Sequence, residues 1–168
     1  MGRRGSWTGV SCPVARGADV LCDPWTIVLL RDAHAGLSRF DEFRAKLGIA
    51  DNVLSARLGR MVETGLLARV PYRDGGRTRY EYRLTRAGAD TLPVVHAVAH
   101  WAGAHTSSPS PAEPLRLVHL PCGNDTRPGA VCDHCGAPLH RGDLHRVETW
   151  RHGIDAPLAE PVPDVVNP

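Results

Sequence analysis

Apolar residues recur at helical spacing through the first third of the chain. Over residues 13–22, Val14, Ala18 and Leu21 share one face, and Pro13 suits a first helical turn. Asp23-Pro24 interrupts the pattern. A second helix is predicted from Pro24 through Trp25, Ile27, Val28, Leu29 and Leu30, ending at Gly36. A short third helix, Arg39–Leu47, places Phe40, Phe43 and Leu47 on its buried stripe. Ser38 is its expected cap, and Asp41 and Glu42 fall in the first turn, where the macrodipole favours acids. Gly48 stops it. The fourth helix begins at Asp51 or the residue before it and runs to about Thr64. Leu54, Leu58, Met61 and Val62 lie on one of its faces, and Gly65 follows its end.

The period then shortens to two. Leu66–Arg73 and Thr78–Leu84 read as strands around Asp74-Gly75-Gly76, a hairpin turn signal. Tyr80, Tyr82 and Leu84 point to one side, Arg79, Glu81 and Arg83 to the other. Thr85 caps a last helix through about Ala104, bent at Pro93, with Leu92, Val95, Val98, Ala99 and Ala102 as a wide apolar stripe. Residues 106–114 are a Ser/Pro-rich linker. A small unit follows, with a strand-like start (Leu115–Leu120), a cysteine-rich middle and a polar strand-like end (Leu144–Arg151). The expected organisation is an N-terminal arm (1–11), a helical domain with a hairpin (12–105), the linker, a second module (115–153) and a Pro-rich disordered tail (154–168).

Composition sharpens this picture in two places. With 42% hydrophobic and 23% charged residues, the chain is globular. Its net charge of +2 is an average: residues 1–106 carry 15 basic and 10 acidic side chains, residues 107–168 carry 5 and 8. Between Arg39 and Arg86 there are 11 basic and 6 acidic residues, so the basic excess sits on the third and fourth helices and the hairpin. No apolar run approaches the roughly 18–20 residues that span a bilayer, and the basic start (Arg3, Arg4) lacks an apolar segment behind it. A soluble, cytoplasmic protein with no membrane partner is expected.

The order helix, helix, turn, helix, hairpin, helix is that of a winged helix-turn-helix. The fourth helix presents short polar residues and arginine outward, which suits a major groove. Asn52, Ser55, Ala56, Arg57 and Arg60 are the predicted base- and phosphate-facing set, and Arg73, Arg77 and Arg79 flank the thin hairpin tip. The alternative is an ordinary solvated arginine surface. A homodimer is expected on physical grounds, because one such unit reads only a few base pairs and a twofold pair reads an inverted repeat. Val98 and Trp101 have little of their own domain left to cover them.

Several motifs occur together and in order: Cys12-Pro13-Val14-Ala15, Trp25-Thr26 before Ile27–Arg31, Arg39-Phe40-Asp41-Glu42-Phe43, Leu54-Ser55-Ala56-Arg57-Leu58, Gly65-Leu66-Leu67, and Tyr80-Glu81-Tyr82-Arg83-Leu84-Thr85 with Gly88. Across about residues 12–103 the chain resembles the HxlR-type transcriptional regulators. The resemblance implies a homodimeric winged-helix repressor or activator whose N-terminal segment and last helix build the dimer. It puts Asn52, Ser55, Ala56 and Arg57 on the recognition helix, and Arg77 and Arg79 on the wing. Asp23-Pro24 stands where the family has Gly-Lys. Ala50 replaces the family's serine at the start of the recognition helix, which moves the expected cap to Asp51.

The five cysteines divide into two groups. Cys12, of the Cys-Pro motif, is a candidate redox or electrophile sensor, since a thiol at a helix N-terminus has a lowered pKa. The alternative is a small buried residue at a dimer interface. Cys22 reads as core. In the second module, His119-x-x-Cys122 and Cys132-x-x-Cys135 form two knuckles, each followed by glycine (Gly123, Gly136). Four such ligands suit tetrahedral, structural zinc, and so few apolar residues need a metal to fold. His134 or His140 could replace His119. Metal-free thiols and a Cys132–Cys135 disulfide are the other readings. The expected fold class is therefore mainly α with a β-hairpin wing, plus a small β zinc-ribbon-like module. The expected function is a sequence-specific regulator of double-stranded DNA rather than an enzyme, because no Ser/His/Asp arrangement, phosphate loop or paired-carboxylate motif is evident. One competing reading is a thiol–disulfide oxidoreductase or zinc enzyme using the late cysteines; another keeps the DNA-binding domain and makes the second module a metal sensor, with zinc controlling operator affinity. No effector is named by the sequence.

Overall fold

The computed structural model describes residue 7 and residues 9–107, 115–148 and 154–163. Six helices and a two-stranded hairpin form the first module: α1 (Pro13–Leu21), α2 (Pro24–His34), α3 (Phe40–Leu47), α4 (Asp51–Glu63), β1 (Leu67–Asp74), β2 (Arg77–Leu84), α5 (Arg86–Ala89) and α6 (Leu92–His105). Prolines open α1 and α2, where a missing N–H costs nothing. Asp23 is the cap of α2, its carboxylate accepting from the N–H groups of Trp25 and Thr26 at 3.0 and 3.3 Å.

Two expected caps are displaced. Ser38 does not cap α3. Arg39 holds that position, and the Glu42 carboxylate accepts from the N–H groups of both Ser38 and Arg39 at 2.9 and 2.8 Å. Asp51 does not cap α4. Ala50 occupies the cap without a side-chain bond, and Asp51 opens the first turn, close to Arg44 at 3.4 Å. The predicted bent last helix is two helices, because the chain turns at Asp90-Thr91 and restarts with Pro93 in the first turn of α6.

Asp74 pairs with Arg77, so Gly75 and Gly76 alone make the wing tip. Their φ values of 54° and 79° are both positive, as a two-residue type I′ turn requires. Ser38 and Arg39 run beside β2, with the Tyr82 N–H donating to the Ser38 carbonyl at 2.7 Å. The core gathers Leu29, Leu30 and Ala33 of α2, Phe43 of α3, Leu54, Leu58 and Met61 of α4, Leu67 and Leu84 of the hairpin, and Val95 of α6. Phe43, Leu54, Leu58, Met61 and Val95 come from the predicted stripes, whereas Val98 of the predicted last-helix stripe is exposed. Helix α1 buries no residue fully, and Val14 is 77% exposed.

The second module is a four-stranded antiparallel sheet in the order β4-β3-β5-β6, from β3 (Arg116–His119), β4 (Asn124–Thr126), β5 (Leu144–Glu148) and β6 (Ile154–Pro157). Residues 154–163, read from composition as disordered tail, instead form β6 and an ordered segment with Leu158 and Val162 buried. Proline is tolerated there because β6 is an edge strand. Leu117, Leu144 and Leu158 close on Leu92 of α6, so the two modules share a small core. The predicted linker 106–114 and strand end 149–151 lie largely outside the described residues.

Gly88 of α5 faces the Leu66 carbonyl, and a Cβ there would lie 2.0 Å from that oxygen. Gly88→Ala is expected to destabilise the protein by about 1–3 kcal/mol or more, read as a lowered urea midpoint. Gly17→Ala, in helix α1 with nothing within 4 Å, is expected to be neutral or stabilising by up to about 1 kcal/mol. A wild-type midpoint for Gly88→Ala would show that this close approach is absent.

Candidate DNA-binding face and metal centre

Helix α4 is a half-buried helix whose outward positions carry the predicted reading set. Leu54, Leu58 and Met61 seat it in the core, which turns Asn52, Ser55, Ala56 and Arg60 to solvent and leaves Arg57 half-buried. Arg57 lies 3.2 Å from the Asp23 carboxylate, and Arg60 lies 3.8 Å from Glu63. Arg77 and Arg79 are exposed on the wing. Arg79 sits between Asp74 at 3.1 Å and Asp41 at 4.0 Å, while Arg44 bridges Asp41 at 3.0 Å and Asp51 at 3.4 Å. A chain of alternating charges therefore joins the wing, α3 and the start of α4. Exposed pairs of this kind contribute little each but set the side chains' directions. The positive face is wider than the sequence reading held. Arg39 lies over the Tyr72 ring at 4.7 Å and Arg69 over the Tyr80 ring at 3.8 Å. Cross-strand placement brings these rings under the arginines, and residue spacing alone does not reveal it.

The second module brings His119, Cys122, Cys132 and Cys135 together, their ligand atoms all within 4.8 Å of one another. His119 ends β3 and is buried; the Gly123 N–H donates back to its carbonyl at 2.8 Å. The Gly136 N–H does the same to the Cys132 carbonyl at 2.9 Å. Both glycines have positive φ, 67° and 71°, which a side chain would resist. The Cys122 sulfur lies 3.4 Å from His119 Nδ1 and 3.8 Å from the Cys132 sulfur, and the Cys135 sulfur lies 3.5 Å from His119 Nδ1. The Cys135 amide, against the effect of burial, and then the His134 amide and Thr126 hydroxyl pull the Cys132 thiol down to about 6. The Ala137 amide draws Cys135 down, but burial and the Cys132 and Cys122 sulfurs outweigh it and leave that thiol raised. Three thiols this close ionise together only around a cation. His134 and His140 are exposed and outside the cluster.

The early cysteines are placed differently. Cys12 is exposed at the N-cap position of α1. Arg16, one turn on, directs its guanidinium to the Val10 and Ser11 carbonyls at 2.8 and 2.7 Å. Cys22, expected in the core, is exposed, because α1 ends one residue before it.

The profile of the HxlR-like helix-turn-helix family matches residues 20–109, more than half of the chain. The chain belongs to the HxlR-like helix-turn-helix family. It is 37% identical over 126 residues to the HTH-type transcriptional regulator Rv3095 of Mycobacterium tuberculosis, covering 75% of this chain and 78% of that protein. The solved structure of PA1607, a candidate transcription factor, superposes with a TM-score of 0.64 at 38% identity, covering 83% of this chain and 96% of that one. The redox regulator HypR in its oxidized form superposes with a TM-score of 0.53 at 28% identity, covering 58% of this chain and all (100%) of that one. HxlR-like proteins are transcriptional regulators with a helix-turn-helix DNA-binding fold, not enzymes. The matches to Rv3095 and PA1607 are longer than the 114 residues that precede the second module, so both extend into it. Among the described residues, no helix of this HxlR-like chain is long and apolar enough to cross a membrane.

The HxlR-like module holds its extension at the C-terminal end of α2. His34 is buried there, with Nδ1 accepting from the Arg141 guanidinium at 2.9 Å and Nε2 within 3.2 Å of the Thr91 hydroxyl. Thr91 donates its own proton to the Gly88 carbonyl at 2.6 Å, so the network assigns the proton to Nε2. Arg141 also donates to the Ala159 carbonyl at 2.8 Å, the Ala159 N–H donates to the His34 carbonyl at 2.9 Å, and Arg146 donates to the Arg31 carbonyl. Burial first, then the charges of Arg141 and Arg146, push His34 down to about 3. Nothing in the sequence near residue 34 announces this role, because Thr91 and Arg141 lie 57 and 107 positions away. An imidazole depressed in the fold binds fewer protons than the unfolded chain between about pH 6.5 and 3, so stability is full above that window and declines as pH falls through it. His34→Asn is expected to be less stable at neutral pH and to lose stability more shallowly on acidification. An equal loss of unfolding free energy between pH 7 and pH 5 in the two proteins, measured by urea titration, would remove His34 from this role.

Proposed function

We propose that this HxlR-like protein is a homodimeric, sequence-specific regulator that reads an inverted-repeat operator with α4 and the wing. The observation that carries the reading is the outward row Asn52, Ser55, Ala56 and Arg60 on a helix anchored by three buried apolar residues, beside an arginine-bearing wing with a two-glycine tip. Asn52 and Arg57 have the side-chain chemistry to pair with adenine and guanine edges. Arg57 must leave Asp23 to do so, and a phosphate or base is the stronger partner for an exposed guanidinium. The dimer reading is supported by exposed apolar groups on the two elements with least cover: Val14 on α1, and Val94, Val98 and Trp101 on α6. Purified protein is expected to sediment at twice the chain mass and to retard DNA from a selected operator, with affinity falling steeply as salt rises. Arg57→Ala is expected to cost about 1–3 kcal/mol and to relax specificity at one position of each half-site. Failure to retard any fragment at low salt would falsify the DNA reading.

The same proposal gives the second module a structural zinc ion held by His119 Nδ1 and the sulfurs of Cys122, Cys132 and Cys135. A tetrahedral zinc site has edges of about 3.8 Å between sulfurs and about 3.5 Å between sulfur and nitrogen. The separations of 3.8, 3.4 and 3.5 Å support that assignment. Zinc would supply folding energy and cancel the thiolate charge, and with all four positions filled by protein it would leave none for a reacting water. Elemental analysis of protein purified without added metal is expected to give one zinc per chain, with Cys132→Ser lowering that ratio. Metal near zero, together with freely reactive late thiols, would refute the site.

A further inference from the structure

Helix α6 and the second module leave a cleft between them, with a volume of about 380 Å³. That lies within the range of small-molecule sites. Pro93, Trp101 and Pro128 supply its apolar surface, and His96, His100 and Arg127 its polar surface. Trp101 and His105 stand with ring centroids 5.5 Å apart, so one end of the cleft is aromatic. His96 is buried in its wall, and Arg127 stands exposed at its lip with its Nε held by Asp133 at 2.8 Å. Among the described residues, no carboxylate lines it. Burial first, then the charges of His100 and Arg127, hold the His96 imidazole below its ordinary range.

Such a lining selects its occupant. Three histidines on one helix suggest a metal, but among the described residues the only His, Cys and carboxylate groups that converge on one point are His119 and the three late cysteines. A guanidinium beside the histidines also disfavours a cation. An anion is favoured, because imidazole N–H groups and a guanidinium are donors matched to a carboxylate. The tryptophan and prolines favour a flat apolar body against them. We propose that this cleft binds a small aromatic carboxylate. Its anionic end lies toward His100 and Arg127 and its ring against Trp101. The occupant would touch both α6 and the second module, and Trp101 would belong both to the cleft and to the exposed stripe proposed to meet a second copy. The ligand would thus be the effector of a regulator whose DNA contacts are elsewhere.

Isothermal titration of the full chain tests this without DNA, so its failure leaves the operator reading intact. The probes are benzoate, phenylacetate and indole-3-acetate, each beside its uncharged amide. At least one acid is expected to bind saturably and at least about tenfold more tightly than its amide. His100→Gln is an exposed substitution that keeps the fold, and it is expected to weaken that acid about tenfold, as is Arg127→Gln. Trp101→Leu is expected to weaken acid and amide alike. The proposal is overturned if none of the three acids saturates, if acid and amide bind equally, or if the His100→Gln protein binds the acid as the wild type does.

Discussion

The last carbonyls of a helix have no partner within it, and burying them is costly unless something else donates. In this protein that constraint falls on α2. Its C-terminal turn is sealed, with Asp32, Ala33 and His34 all buried. The turn after the helix answers two of these carbonyls, with the Ala35, Gly36 and Leu37 N–H groups reaching those of Asp32 and Ala33, and the extension answers the other two: Arg146 reaches the Arg31 carbonyl and the Ala159 N–H reaches that of His34. Arginine is suited to this place because it adds a positive charge to the negative end of the helix dipole. Asp32 holds Arg31 through two contacts at 2.9 and 3.0 Å, so the buried charges are opposed rather than merely crowded. Without the extension, the Arg31 and His34 carbonyls at the end of this core helix would lose these donors.

Seen this way, the second module is part of the first domain's packing. Leu92 opens α6 and also belongs to the small core of Leu117, Leu144 and Leu158. The Val162 N–H donates to the Leu84 carbonyl at the base of the wing. A module with so few apolar residues is held from two directions, by its knuckles at one end and by this docking at the other. The charge split between the halves of the chain fits the same arrangement. The basic surface remains on α3, α4 and the wing, where alternating salt bridges hold its arginines ready.

Local features were legible in the sequence and long-range ones were not. The stripes Leu54, Leu58, Met61 and Phe40, Phe43, Leu47 located two helices, because helical period is written in neighbouring residues. Capping failed by one residue at Ser38 and Asp51, where Glu42 and the bare backbone at Ala50 took over. The convergence of His119, Cys122, Cys132 and Cys135 was legible because each knuckle closes on itself within a few residues and needs glycine to do so. His34 was missed because Arg141 is 107 positions away. Residues 154–163 were misjudged because proline content was allowed to outweigh Leu158 and Val162, the two anchors that hold them down.

The strap formed by residues 154–163 has a consequence for how the protein is made. A chain leaves the ribosome N-terminus first and its domains fold as they emerge. The winged helix and strands β3–β5 are therefore synthesised before the segment that supplies β6 and the Ala159 and Val162 contacts to α2 and β2. The nascent winged helix waits with the end of α2 still wet, and it becomes fully sealed only when this late stretch arrives. The contact that completes the end of an early helix is thus among the last the chain can make.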